Sequence, residues 1–320
     1  MSFPRTVFMF SGQGSQYRTM GRTLFETDPV FRDELLRLDR MASDLTGKRV
    51  LEEMHAGSKA DSFDRTLITH PAIFMLEYAL ARSLAAKGLK PDLCLGASLG
   101  TFAAAAVAGH LGVEDAMRAV VAQARAFEAT CERGGILAIL APPSLYDEAA
   151  FLHARSELSG INFDKHFAVS CAPSDLAAIE QELKQRAIAC QRLDVSYAFH
   201  SRWIDPAAEA FLADIRDLAL APDAGLVACC AKARTLSRLA PGDFWDAVRQ
   251  PIRFRDTIAR LETDGPCRYI DVGPSGTLAT FVKYALPAAS RSTAHPILTP
   301  FGQDTKHLAS LLAVMETSAA

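Results

Sequence analysis

Leu93-Cys94-Leu95-Gly96-Ala97-Ser98-Leu99-Gly100 is the stretch whose reading decides the fold. Four residues of buried-strand character run straight into a serine held between two glycines, and residues 102–108 continue as a small-residue helical stretch. A serine on a tight strand-to-helix turn is lifted clear of the backbone, and the flanking glycines remove the Cβ clashes that such a turn creates. The helix N-terminus behind it offers free N–H groups and a positive dipole end, which suit an oxyanion. The competing reading is a glycine-rich turn with an incidental serine at a helix cap; the strand-turn-helix context favours a nucleophile.

Outward from this turn, Thr6-Val7-Phe8-Met9-Phe10 is another short buried strand, ending at Ser11-Gly12-Gln13-Gly14-Ser15. Residues 30–51 and 71–86 have helical patterns, the second with Pro71 in its first turn. Tyr269-Ile270-Asp271-Val272 followed by Gly273-Pro274-Ser275-Gly276 repeats the strand-turn-helix theme. Strands alternating with helices predict a parallel α/β sheet. The middle of the chain differs. Runs at 136–140, 167–170 and 192–195 read as three strands, with helices at 145–153 and 176–187 between them, the pattern of a small α+β insert.

The composition restricts function. The chain has 320 residues, 49% hydrophobic, enough for a large domain with an insert. A net charge of -3 argues against a broad nucleic-acid surface. There is no run of about 18 apolar residues to span a membrane. Met1-Ser2-Phe3-Pro4-Arg5 lacks the apolar stretch of a secretory signal, so a cytoplasmic protein is expected. Seven scattered cysteines, with no CxxC and no HExxH, point to neither a zinc site nor a disulfide framework, and no metal or cofactor is expected. A serine nucleophile needs a base, and spacing alone does not choose among eight histidines. His200 stands in a loop just after the insert, at a junction that favours a cleft.

Together these segments resemble one family. Phe10-Ser11-Gly12-Gln13-Gly14-Ser15-Gln16 is similar to the GQGSQ opening of malonyl-CoA:acyl-carrier-protein transacylases and polyketide synthase acyltransferases. Gly96-Ala97-Ser98-Leu99-Gly100 resembles their nucleophile motif and Tyr197-Ala198-Phe199-His200-Ser201 their histidine motif. Gln250-Pro251-Ile252-Arg253-Phe254 and Asp271-Val272-Gly273-Pro274 follow in the family's order. The resemblance implies an α/β-hydrolase-like large subdomain, residues 1–134 and 197–320, with an inserted small ferredoxin-like subdomain, residues 135–196. It further implies a Ser98–His200 pair without an acidic third member, a backbone carbonyl near Ala247 orienting the imidazole, and an oxyanion hole made by the N–H groups of Gln13 and Leu99. Tyr197 and Phe199 would line the acyl pocket. The implied partner is the acyl carrier protein of a polyketide synthase, presenting substrate on its phosphopantetheine; Arg18, Lys165, Arg202 and Arg253 are candidates for a basic rim facing it.

Extender-unit transferases clamp the malonyl carboxylate with an arginine on the helix after the nucleophile. Counting back from Gly134-Gly135, the family spacing places Gln123 there, and Arg125 two residues on would be rotated by roughly 200° away from the cleft. Glutamine at this position resembles the trans-acting acyl hydrolase branch, which removes stalled short acyl groups such as acetyl from carrier-protein thiols, a proofreading role in antibiotic biosynthesis. The alternatives are a malonyl loader that uses Arg125 as its clamp, an idle module that only docks carrier protein, and a general esterase, for which no acidic partner is identified by motif. Two other departures are Ala97, where transacylases usually have His, and His70, where the family often has Gln; packing is the expected role of both.

Overall fold

Five of the six residues of β1 (Arg5–Phe10) are buried, as a strand covered on both faces requires. Phe8 and Phe10 enter one apolar core, formed with the helices Thr66–Ala86, Gly100–Val107 and Val113–Thr130. Val7 and Met9 enter a second core on the other face, shared with the helices Phe254–Glu262 and Thr277–Ala285. In this computed structural model, which describes residues 4–58 and 61–319, the further strands are β2 (Leu93–Gly96), β3 (Gly135–Ile139), β4 (Ser156–Phe163), β5 (His166–Cys171), β6 (Cys190–Arg192), β7 (Leu226–Cys229), β8 (Arg234–Leu236), β9 (Ile252–Arg253), β10 (Cys267–Asp271) and β11 (Thr293–Pro296).

The larger sheet has the order β11-β10-β1-β2-β7-β8 and is parallel except for β8. The smaller sheet is β6-β3-β5-β4-β9. Its first four strands are antiparallel neighbours with helices in the two crossovers, the ferredoxin-like arrangement, over a core that includes Leu137, Ile139, Phe167, Val169 and Leu183. The fold is therefore α/β-hydrolase-like with a ferredoxin-like insert. The two-residue β9 comes from outside the insert and pairs parallel to β4, so that Gln250-Pro251-Ile252-Arg253 stitches the two sheets together.

Several elements differ from the sequence expectation. β4 was not expected, because register shifts at Leu158/Gly160 and Ile161/Phe163 break the alternation by which a strand is recognised. Pro71 lies inside the helix Thr66–Ala86 and not in its first turn. That helix is buried on nearly every side, so it has no amphipathic face to mark where it begins. β7 and β8 are too short to stand out from the helical patterns around them. No helix among the described residues is long and apolar enough to cross a membrane.

Candidate active site

Phe10 of β1 pairs with Gly96 of β2, so residues 11–15 and 97–99 leave the sheet side by side at its C-terminal edge, where open α/β sheets place their ligands. Ser98 has φ +56°, the left-handed conformation that costs an ordinary residue about 1–2 kcal/mol and lifts the side chain off the strand. The glycines make this possible. A Cβ on Gly96 would lie 2.5 Å from Thr101 Cα, and one on Gly100 would run into the Phe10 carbonyl. A Cβ on Gly12 would lie 2.7 Å from Ser98 Cβ, so the first loop approaches the serine only because glycine stands there.

Ser98 Oγ lies 2.9 Å from His200 Nε2. His200 is itself in the left-handed region, φ +62°, and is buried. Its loop is pinned on each side: the His200 N–H donates to the Val248 carbonyl at 2.9 Å, and the Ser170 hydroxyl donates to the Phe199 carbonyl. The Nδ1–H donates to the Gln250 carbonyl at 2.7 Å, which leaves Nε2 unprotonated and facing the serine. The orienting carbonyl is therefore Gln250 and not Ala247. Ala247 is inside the helix Pro241–Arg249, whose carbonyls follow the helix axis. Pro251 forces the preceding residue into extended geometry (ψ 152°), which ends the helix and turns the Gln250 carbonyl to the imidazole. The Gln-Pro dipeptide was the available signal.

Among the described residues, the backbone N–H groups of Gln13 and Leu99 donate to no protein acceptor. They stand on the two adjacent loops beside Ser98, as an oxyanion hole requires. The Gln13 side chain is fixed by its Nε2 donating to Thr69 Oγ1 at 2.8 Å. A cleft of about 300 Å³ opens here between the two sheets. Gln13, Ser98, Phe199 and His200 line one side, and Asn162, His166 and Gln191 of the insert line the other. The insert's contribution was not read from the sequence, where its polar positions look like ordinary strand exposure.

None of the described side chains lining this cleft is Asp, Glu, Lys or Arg. Arg125 is exposed, and its guanidinium donates to the Leu45 carbonyl on the helix Pro29–Thr46. Gln123 is wholly buried, with both amide atoms unpartnered. It does not line the cleft. Phe127, one turn further along the same helix, packs 5.2 Å from the Phe199 ring, which is on the wall. His70 packs against both phenylalanines, and burial lowers its pKa to about 3. Tyr197 packs beside Phe199, ring centroids 6.0 Å apart, and against Phe127, but it lines a separate surface pocket with Arg65 and Arg133 and not the cleft. Of the four basic-rim candidates, Arg202 is paired with Glu157, Arg253 with Asp256, and Arg18 holds carbonyls of Glu53, Ala56 and Ser62; Lys165 is exposed and makes no ion pair among the described residues.

Burial pulls the His200 pKa down to about 4, with Arg249 adding to the fall and the Gln250 hydrogen bond opposing it. Its imidazole is thus a neutral base throughout the physiological range. Below the pKa the imidazolium cannot accept the serine proton, so kcat/KM is expected to be level from about pH 8 to pH 5 and to fall as pH drops through about 4. The unfolded ring titrates near 6.5, so protonation also favours unfolding as pH falls below that value. Initial rates recorded beside circular dichroism separate the two effects; a midpoint near 6.5 with the fold intact would contradict the buried neutral base.

A family model described as acyl transferase domain matches residues 7–319. The polyketide biosynthesis acyltransferase homolog PksD of Bacillus subtilis (strain 168) is 43% identical over 304 residues, covering 94% of each chain. ThaF of Burkholderia thailandensis, a polyketide biosynthesis protein, is 36% identical over 313 residues, 94% of this chain and 26% of ThaF. Among solved structures, a loading acyltransferase from the avermectin modular polyketide synthase superposes with a TM-score of 0.88 at 23% identity, covering 97% of this chain and 99% of that one. The acyl transferase domain of SpnD, in complex with 2-(pent-4-yn-1-yl)malonyl, gives 0.86 at 25% identity, covering 97% and 75%.

Proposed function

The chain belongs to the acyl transferase domain family, and from that premise we propose that it is an acyl hydrolase that acts in trans on carrier-protein thioesters of a polyketide synthase and clears short neutral acyl groups such as acetyl. His200 takes the Ser98 proton as Oγ attacks the thioester carbonyl, and the Gln13 and Leu99 amides hold the developing oxyanion. Collapse expels the carrier thiolate, which takes the proton from His200. Water, deprotonated by His200, then attacks the acyl-serine ester, and a second collapse releases the carboxylic acid and Ser98.

The observation that carries this reading is the absence of any charged side chain on the described cleft wall. A malonyl carboxylate would be buried there without a counter-charge, at a cost of about 3–5 kcal/mol, or about two orders of magnitude or more in acylation. A malonyl loader would need Arg125 as its clamp, and that side chain is held outside by Leu45. The test is intact-mass analysis of acetyl-carrier protein mixed with a second, unacylated carrier protein. The expected outcome is a bare thiol on the first, free acetate, and no acetyl on the second. Acetyl on the second carrier, or rapid and stable malonylation of Ser98 from a malonyl donor, would overturn it.

A further inference from the structure

Glu77 is a carboxylic acid in the middle of an otherwise apolar helix face, wholly buried, and the catalytic steps above do not use it. Its Oε1 lies 2.6 Å from the Ser11 N–H and 3.0 Å from Ser11 Oγ, while Oε2 is unpartnered. Ser11 Oγ is 2.9 Å from Ser15 Oγ, and Ser15 Oγ is 2.7 Å from the Gly12 carbonyl. Each hydroxyl has a single proton to donate. The Gly12 carbonyl is only an acceptor, so the Ser15 proton is committed to it. The Ser11 proton is then committed to Ser15 Oγ. The contact between Ser11 Oγ and Glu77 is left without a proton unless the carboxyl supplies one. Burial, together with the neighbouring Asp271, raises the Glu77 pKa well above the usual carboxylate range, which agrees with this count.

The chain of donors therefore has one direction, from Glu77 through Ser11 and Ser15 to the Gly12 carbonyl. That carbonyl belongs to the same peptide unit as the Gln13 N–H. A carbonyl that accepts a strong hydrogen bond withdraws charge from its own amide and makes the N–H a stronger donor. It also fixes the plane of the peptide. An ionised carboxylate at 77 would reverse the chain: Ser11 would donate to Glu77, Ser15 to Ser11, and the Gly12 carbonyl would keep only the longer 3.3 Å bond from the Ser15 N–H. The loop has little room to rearrange, because a Cβ on Gly273 would strike Ser11 Oγ and Gly12 is in contact with Ser98.

We infer that Glu77, Ser11 and Ser15 form a one-way hydrogen-bond relay that polarises and orients the Gly12–Gln13 peptide, with Glu77 and Ser15 as positioning residues for the oxyanion donor. The inference rests on the acyl-serine reading of the site.

Its test is steady-state hydrolysis of acetyl-carrier protein by Ser15→Ala, Ser15→Thr and Glu77→Met, with melting temperatures recorded beside each. Ser15→Ala is expected to lower kcat on the order of 10-fold with KM within about 3-fold, since the relay strengthens one donor and does not remove it. Ser15→Thr keeps the hydroxyl and is expected to recover most of that loss. Glu77→Met is expected to match Ser15→Ala, and the double variant to be no slower than either, because both break one chain. Wild-type kcat in folded Ser15→Ala, a loss confined to KM, a Ser15→Thr no better than Ser15→Ala, or effects that multiply in the double variant would overturn the relay. If Glu77→Met does not fold, the Ala and Thr pair at position 15 decides alone. Hydrolysis that survives Ser98→Ala would instead remove the acyl-serine reading itself.

Discussion

Ser98→Ala is expected to lower hydrolysis of acetyl-carrier protein by at least about 10³-fold, and His200→Ala by a similar factor, with the double variant no worse than either single change. The reason is geometric. The two side chains are 2.9 Å apart and act as one unit: without the imidazole the hydroxyl is not activated, and without the hydroxyl the imidazole has nothing to activate. What survives is the contribution of the Gln13 and Leu99 amides and of binding alone. Ser98 is half-buried on a preformed turn, and its truncation to alanine opens little space, so the fold is expected to persist. Rates from intact-mass time courses, with circular dichroism as the control, check this. A folded Ser98→Ala protein that keeps even about a tenth of the rate would favour a docking module over an enzyme.

Gln123→Arg is expected to move selectivity from acetyl towards malonyl. In the native chain, acylation of Ser98 by malonyl should be slower than by acetyl by about two orders of magnitude, the result of leaving a carboxylate uncompensated. The amide of Gln123 is buried without partners one helical turn before Phe127, which packs on Phe199 of the cleft wall, and the longer side chain of an arginine there is expected to bring a permanent cation towards the acyl group. Malonylation is expected to rise by about 10-fold or more relative to acetylation, short of the full two orders because the new charge must itself be desolvated. The opposite change at the neighbouring exposed site, Arg125→Gln, is expected to leave both rates unchanged. The readout is the mass of the acylated chain after brief mixing with each donor. An unaltered preference in Gln123→Arg, or a loss of activity in Arg125→Gln, would remove Gln123 from substrate selection.

The features that were legible from sequence are those set by local backbone chemistry. The strand before Ser98, the two glycines around it, and the opening Ser11-Gly12-Gln13-Gly14-Ser15 turn are all written in consecutive residues, and each sits where its local pattern places it. What depends on pairing between distant segments was not legible. β4 loses its alternation to two register shifts, and the two-residue β9 exists only because Gly160 lies beside Ile252. The orienting carbonyl was placed three residues early, within a helix that Pro251 ends. That Tyr197 lines a separate surface pocket while Phe199 lines the cleft needed the position of neighbouring segments, and the role of Glu77 needed the protons of two serines that lie far from it in sequence.

The fate of the acyl group on Ser98 tests the neutral-cleft hydrolase most directly. Acetyl-carrier protein is mixed with the chain in water enriched in oxygen-18, with excess unacylated carrier protein present, and quenched on the millisecond-to-second scale. The expected result is a transient acetyl adduct on the Ser98 peptide that decays to acetate carrying one solvent oxygen, with the acceptor carrier still bare. A stable adduct that leaves only on an acceptor thiol, with no label in free acetate, would contradict it.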